Sequence, residues 1–206
     1  MTILDLDTPH GPARAHLRLR PDAGGALVLG HGAGGGVGAR DLLAVSEAAD
    51  AVGLSVALVE QPYRVAGRRS PAPARQLDSA WTAVVDALGR EQLADLRLVV
   101  GGRSAGARVA CRTAEITGAA GVLCLAFPLQ PPRRTAAAPA PSRIGELDGV
   151  SVPTLVIQGQ RDPFGIPPAA PLRTVALVAG DHSLKADPSA VAAAAKTWLS
   201  DVLDLT

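Results

Sequence analysis

The stretch that decides the fold reads Leu96-Arg97-Leu98-Val99-Val100-Gly101-Gly102-Arg103-Ser104-Ala105-Gly106-Ala107-Arg108-Val109-Ala110. Residues 96–100 form a short, mostly apolar run, the pattern of a strand covered on both faces. Residues 105–117 follow with Ala105, Val109 and Ile116 at helical spacing, and Gly118 ends them. Between the two lies Gly102-Arg103-Ser104-Ala105-Gly106, a G-x-S-x-G pattern. In a strand–turn–helix setting, the flanking glycines let the chain turn tightly and leave the serine hydroxyl standing clear of the sheet edge. The plainer reading is a glycine-rich turn with an N-capping serine.

The same alternation extends in both directions. Residues 26–29, 54–59, 122–127, 154–157 and 174–178 read as further buried strands. Helical stripes lie between them: Leu42, Val45, Ala49 and Val52, then Leu77, Trp81, Val84 and Leu88. A last helix is expected from Asp187 as N-cap and Pro188 in its first turn, with Val191, Ala195, Trp198 and Val202 facing the sheet. Upstream, Leu17 and Leu19 alternate with His16, Arg18 and Arg20, an edge strand paired with residues 3–6. The pattern predicts an α/β fold over residues 1–206 as one domain. A mostly parallel sheet carries helices on both faces, and an antiparallel hairpin precedes it. Residues 61–75 and 128–141 read as long loops; a short helix is expected near 143–147, with no room for a cap domain.

Composition narrows the function. The net charge of +1 removes any general electrostatic case for nucleic acid or an anionic membrane. No run of about 18 apolar residues exists, and residues 1–11 lack the basic start and apolar core of a secretory signal. Cys111 and Cys124 have no metal-ligand spacing and read as buried free thiols. The expectation is a soluble cytoplasmic protein.

In a parallel sheet, the loops that follow the strands share one edge, where ligands bind. That edge collects the residues able to do chemistry. A serine hydroxyl needs a base. His182, in Gly180-Asp181-His182-Ser183, follows one strand and suits that role, whereas His10 and His16 read as exposed polar residues. The base needs an orienting carboxylate. Asp162, in Gly159-Gln160-Arg161-Asp162-Pro163, follows another strand. Asp181 is the rival, but as the chain neighbour of His182 it points the other way in extended backbone. The order Ser104, Asp162, His182 is that of nucleophile, acid and base in α/β-hydrolases. Two backbone N–H donors should complete the site: Ala105, and Ala33 with Gly34 as the alternative, in the loop Gly30-His31-Gly32-Ala33-Gly34-Gly35-Gly36. His31 reads as a brace for that loop. A competing reading takes residues 30–35 as a dinucleotide-binding G-x-G-x-x-G with Glu60 as ribose acid. It leaves Ser104, Asp162 and His182 unexplained. Arg64, Arg68 and Arg69 could bind a carboxylate or phosphate; a solvated basic loop is the plainer reading. Arg103 and Arg108 read as structural ion-pair partners.

The chain resembles the α/β-hydrolases, and within them a small lidless group related to dienelactone-hydrolase-like proteins. That group includes a testis-expressed protein and a subunit of a histone-acetyltransferase complex. The resemblance rests on Leu29-Gly30-His31-Gly32-Ala33-Gly34-Gly35, Gln61-Pro62-Tyr63-Arg64, Gly101-Gly102-Arg103-Ser104-Ala105-Gly106-Ala107-Arg108, Phe127-Pro128-Leu129, Gly159-Gln160-Arg161-Asp162-Pro163-Phe164-Gly165 and Asp181-His182-Ser183-Leu184. It implies Ser104 as nucleophile, His182 as base and Asp162 as acid. The expected activity is hydrolysis of a small ester or thioester without metal or organic cofactor. Dienelactone hydrolases proper carry Cys where this chain has Ser104, which argues against their substrate. Similar proteins also serve as parts of assemblies, so a non-catalytic interaction module is the alternative.

Overall fold

The computed structural model describes residues 2–131 and 141–205. Eight strands form one sheet: β1 (Thr2–Leu6), β2 (Ala13–Arg18), β3 (Ala26–Gly30), β4 (Ser55–Glu60), β5 (Leu98–Arg103), β6 (Gly121–Leu125), β7 (Thr154–Gly159) and β8 (Arg173–Val178). Their order is β1-β2-β4-β3-β5-β6-β7-β8. β1 and β2 pair antiparallel, as do β2 and β4; every other pairing is parallel. The helices are α1 (Arg40–Ala51), α2 (Pro62–Val65), α3 (Ala74–Arg90), α4 (Ala105–Thr113), α5 (Ile144–Asp148) and α6 (Pro188–Val202). This is the α/β-hydrolase fold.

The strands divide their side chains between two cores. Leu27 and Leu29 of β3 pack with Leu42 and Val45 of α1 and with Val191 and Leu199 of α6. Val28 turns to the other face, with Trp81 and Leu88 of α3 and Val109 of α4. Each central strand is thus apolar on both sides, which explains its lack of alternation. Asp187 caps α6, its carboxylate accepting from Ala190 N at 2.9 Å. Cys111 and Cys124 are buried and free, their sulfurs 3.5 Å apart. The contact with Cys111, together with burial, pushes the Cys124 thiol well above its ordinary range.

Several elements differ from their sequence reading. The expected edge strand, β2, lies inside the sheet between β1 and β4, so β1 is the edge. Ala13, Ala15 and Leu17 supply its buried face; Leu19 lies beyond its end and is exposed. Small alanines left no alternation to read there. β5 starts two residues later than residue 96 and continues through Gly101 and Gly102, which stay in the parallel ladder opposite Leu123 and Cys124. Those glycines read as a turn because glycine usually punctuates. Here they are strand residues, and a Cβ on Gly101 would run into the Leu123 carbonyl oxygen. α4 stops at Thr113, so Ile116 falls outside its stripe and is exposed. Residues 61–75, read as loop, hold the one-turn α2, whose first residue is Pro62, and the start of α3. The expected loop at 128–141 lies partly outside the described residues, and the short helix after it is α5. Among the described residues, no helix is long and apolar enough to cross a membrane.

α4 crosses β3 in backbone contact. A Cβ on Gly106 would lie 2.5 Å from the Gly30 carbonyl oxygen and 2.9 Å from that of His31. Neither atom can retreat without moving β3. Gly106→Ala should therefore lower the unfolding free energy by about 1–3 kcal/mol, the usual range for overpacking a filled interior. Urea unfolding followed by circular dichroism reads this directly; an unchanged midpoint would mean that the crossing can relax.

Candidate active site

The site begins with a strained residue. Ser104 joins β5 to α4 with φ 53° and ψ −106°, a region L side chains rarely occupy. Its own N–H donates to Leu125 O at 2.8 Å, and its carbonyl accepts from Arg108 N at 3.2 Å, so neighbouring backbone holds the conformation. The serine side chain is thereby lifted off the sheet at the point where α4 begins.

The loop after β8 brings the imidazole to it. Ser104 Oγ lies 3.0 Å from His182 Nε2. His182 Nδ1 lies 2.8 Å from Asp162 Oδ2. A carboxylate only accepts, so Nδ1–H donates to Asp162, and in the neutral imidazole Nε2 accepts the Ser104 hydroxyl proton. The Asp162 side chain has no solvent exposure. Its Oδ2 also accepts from Gln158 Nε2 at 2.9 Å, and its Oδ1 from Phe164 N at 2.9 Å. These bonds fix the carboxylate before the histidine arrives. Phe164 then meets the His182 ring edge to face, centroids 4.5 Å apart at 70°. Gly159 permits the approach of the two loops, since a Cβ there would run into the Asp181 carbonyl oxygen. Asp181 itself turns away and accepts from Ser183 N at 2.9 Å and Ser183 Oγ at 2.7 Å. Those bonds hold its carboxyl below the usual range.

The glycine loop after β3 lies against the elbow: a Cβ on Gly32 would be 3.7 Å from Ser104 Cβ. His31 is buried and braces this loop. Its Nδ1–H donates to Gly32 O at 2.8 Å, and its Nε2 accepts from Gln61 N at 3.1 Å. Burial pushes its pKa down, which keeps this tautomer neutral. Tyr63 Oη donates to Ala33 O at 2.9 Å. Among the described residues, the N–H groups of Ala33 and Ala105 donate to no backbone acceptor. Glu60, the acid of the dinucleotide reading, is held by His16 at 3.1 Å. His16 is correspondingly sheltered rather than exposed. No cluster of three or more His, Cys, Asp or Glu side chains is arranged to hold a metal among the described residues.

Three supporting residues escaped the sequence reading. Gln158 is fully buried, and its amide also reaches Phe127 O and Gly165 O. The available signal was a glutamine ending an otherwise apolar strand. Phe164 and Tyr63 lie in stretches that carry the family resemblance, but nothing in those stretches indicated their contacts with His182 and Ala33. Arg103, read as an ion-pair partner, does more than pair. Its Nε donates to buried Asp41 at 2.9 Å, and its Nη2 donates to the His182 carbonyl at 3.0 Å. Arg108 and Arg112 share Glu146, which they hold below its usual pKa against the opposing effect of burial.

Residues 23–202 match the family model described as Alpha/beta hydrolase domain. The chain belongs to this family. A comparison with curated proteins gave no match. Among solved structures, a serine hydrolase of the α/β type without a lid from Xanthomonas campestris is similar, at 18% identity and TM-score 0.77; the match covers 100% of this chain and 96% of that one. Est1E from Butyrivibrio proteoclasticus is similar at 14% identity and TM-score 0.79, over 98% and 99% of the two chains. A dienelactone hydrolase from Anabaena variabilis is similar at 16% identity and TM-score 0.73, over 97% and 96%. At these identities the likeness is one of fold.

Arg103→Gln should leave Asp41 buried and uncompensated, at a cost of about 3–5 kcal/mol in stability. Asp41→Asn in the same chain should restore much of it. Urea unfolding of the wild type, both single variants and the double variant gives the coupling; purely additive effects would mean the pair does not clamp the loop.

Proposed function

We propose that this α/β-hydrolase is a serine hydrolase that cleaves ester-type bonds, carboxylic ester or thioester, through an acyl-enzyme. The observation that carries the reading is the continuous hydrogen-bonded line from Ser104 through His182 to Asp162. His182 Nε2 takes the Ser104 proton as Oγ bonds to the substrate carbonyl carbon. The positive charge that develops on the imidazole is balanced by buried Asp162. The carbonyl oxygen becomes an oxyanion, received by the free N–H groups of Ala105 and Ala33. Ala105 is the first residue of α4, so the helix terminus favours negative charge at the same place. Collapse breaks the bond to the leaving alcohol or thiol, which leaves with the proton from His182. Water then gives a proton to His182 and attacks the acyl carbon; the acid departs and Ser104 regains its proton. The cycle balances without a redox partner.

Small or exposed acyl groups are the favoured substrates, since the described residues between β6 and β7 contribute one short helix and no covering domain. Within the family we place the chain with the small lidless hydrolases. The lidless Xanthomonas neighbour supports that placement.

Hydrolysis of p-nitrophenyl acetate tests the reading. The wild type should turn it over; Ser104→Ala should lose on the order of 10⁶ in kcat and Asp162→Asn on the order of 10⁴. Wild-type turnover in Ser104→Ala would refute the assignment. Full activity in Asp162→Asn with loss in Asp181→Asn would move the acid to Asp181.

A further inference from the structure

Arginine supplies nearly all the positive charge of this chain, and the fold sorts the arginines by position. Away from the reactive edge they are neutralised, as Arg97 is by Asp204, Arg90 by Asp86 and Arg173 by Asp148. Beneath the elbow, Arg103, Arg108 and Arg112 are likewise paired. Among the described residues, the arginines without an acidic partner are Arg40, Arg64, Arg68, Arg69, Arg75 and Arg161, with Arg143, which donates to the Pro128 carbonyl. All of them lie in segments that leave the carboxyl ends of the parallel strands. Arg40 opens α1 after β3; Arg64 to Arg75 follow β4; Arg143 follows β6; Arg161 follows β7. Lys185, three residues beyond His182, adds another exposed cation.

Most carboxylates on this edge are already engaged; Asp7 and Asp181, which have no basic partner among the described residues, are exposed. Asp162 holds His182, Asp41 holds Arg103, Glu60 holds His16, and Asp187 caps α6. Further unpaired acids, Asp22, Glu91, Asp95 and Glu115, are exposed at the opposite edge. The unpaired cations at this edge outnumber the unpaired carboxylates, so a chain of net charge +1 presents a cationic face around its serine. Such a face concentrates anions and orients them before contact.

Arg64 stands apart from the rest. It is half-buried; among the described residues its Nε is shut off from solvent with no acceptor, and its single hydrogen bond is a 3.4 Å contact from Nη1 to Arg68 O. Nε is out of reach from solvent, but the outer guanidinium nitrogens keep N–H donors beyond that one long bond, and an anionic group would take them. Arg64 follows directly on Tyr63, the residue that holds Ala33 in the glycine loop. We propose that the substrate is an ester bearing a second, non-reacting carboxylate or phosphate, and that the arginines after β4, Arg64 foremost, receive that anionic group. The inference rests on the serine-hydrolase reading above.

Matched esters separate the two ideas. Mono-p-nitrophenyl succinate against p-nitrophenyl butyrate puts the charge on the acyl side; 4-acetoxybenzoate against phenyl acetate puts it on the leaving group. In at least one pair, the anionic ester should have a kcat/KM about tenfold higher or more, with the preference shrinking at high salt. Arg64→Gln, or Arg68→Gln with Arg69→Gln, should cut that preference about tenfold; Arg90→Gln, paired on the far side, should keep it. Competition by acetate and by inorganic phosphate tells which anion the face prefers. Should Arg64→Gln fail to fold, the Arg68/Arg69 variant and the wild-type salt dependence still decide. Equal or better use of the neutral esters in both pairs, or a preference unmoved in every variant, overturns the inference and leaves the hydrolase reading standing. No turnover of any of the four esters overturns both.

Discussion

The geometry of the site depends on how closely helix α4 crosses the sheet. Gly102 and Gly106 both bring backbone against the carbonyl of Gly30, where a Cβ on either would lie 2.5 Å from that oxygen. Because the crossing is this tight, α4 starts immediately after β5, with a single residue between them. That residue, Ser104, is forced into the left-handed half of backbone space. Strain of this kind costs about 1–3 kcal/mol and persists only where surroundings over-determine it. Here the ladder to β6 and the first turn of α4 do so. The same contact brings Gly32 against Ser104, so the serine hydroxyl, the free helix N-terminus and the glycine loop meet at one point. A looser packing of α4 would separate all three.

Against this rigid half, the second half is assembled from loops. His182 follows β8 and Asp162 follows β7, and neither strand end fixes a side chain by itself. Gln158 and the Phe164 amide orient Asp162, the Phe164 ring packs edge to face on the imidazole, and Arg103 holds the His182 carbonyl. Arg103 is the chain neighbour of Ser104, so one residue ties the strained turn to the histidine loop. Its anchor, Asp41, sits in the first turn of α1. His182 is thus referenced to Ser104 through a buried ion pair as well as through the hydrogen bond between them.

Much of this was legible in the sequence, for physical reasons that differ by element. The central strands announced themselves because both faces are covered and their residues are uniformly apolar. Asp187 and Pro188 marked the start of α6 because capping chemistry is local. Ser104, Asp162 and His182 could be picked out because each follows its own strand, and a parallel sheet brings such positions to one edge. What failed to show was long-range or isosteric. The inner position of β2 is set by its pairing with β4, and its buried alanines carry little hydrophobic signal. Gly101 and Gly102 look like a turn but serve as strand residues needed for close approach. The Arg103–Asp41 pair joins residues far apart in the chain, and nothing in either local sequence indicates the other. The sorting of arginines became visible only once partners could be assigned, since composition records a near-neutral chain.

The central claim is that Ser104 is an activated nucleophile. Treatment of the folded protein with a fluorophosphonate, followed by mass spectrometry of the adduct, tests it most directly. The account predicts one stoichiometric adduct on Ser104, absent in Ser104→Ala and in His182→Ala. A folded protein that takes up no probe, or takes it up on another residue, would contradict it.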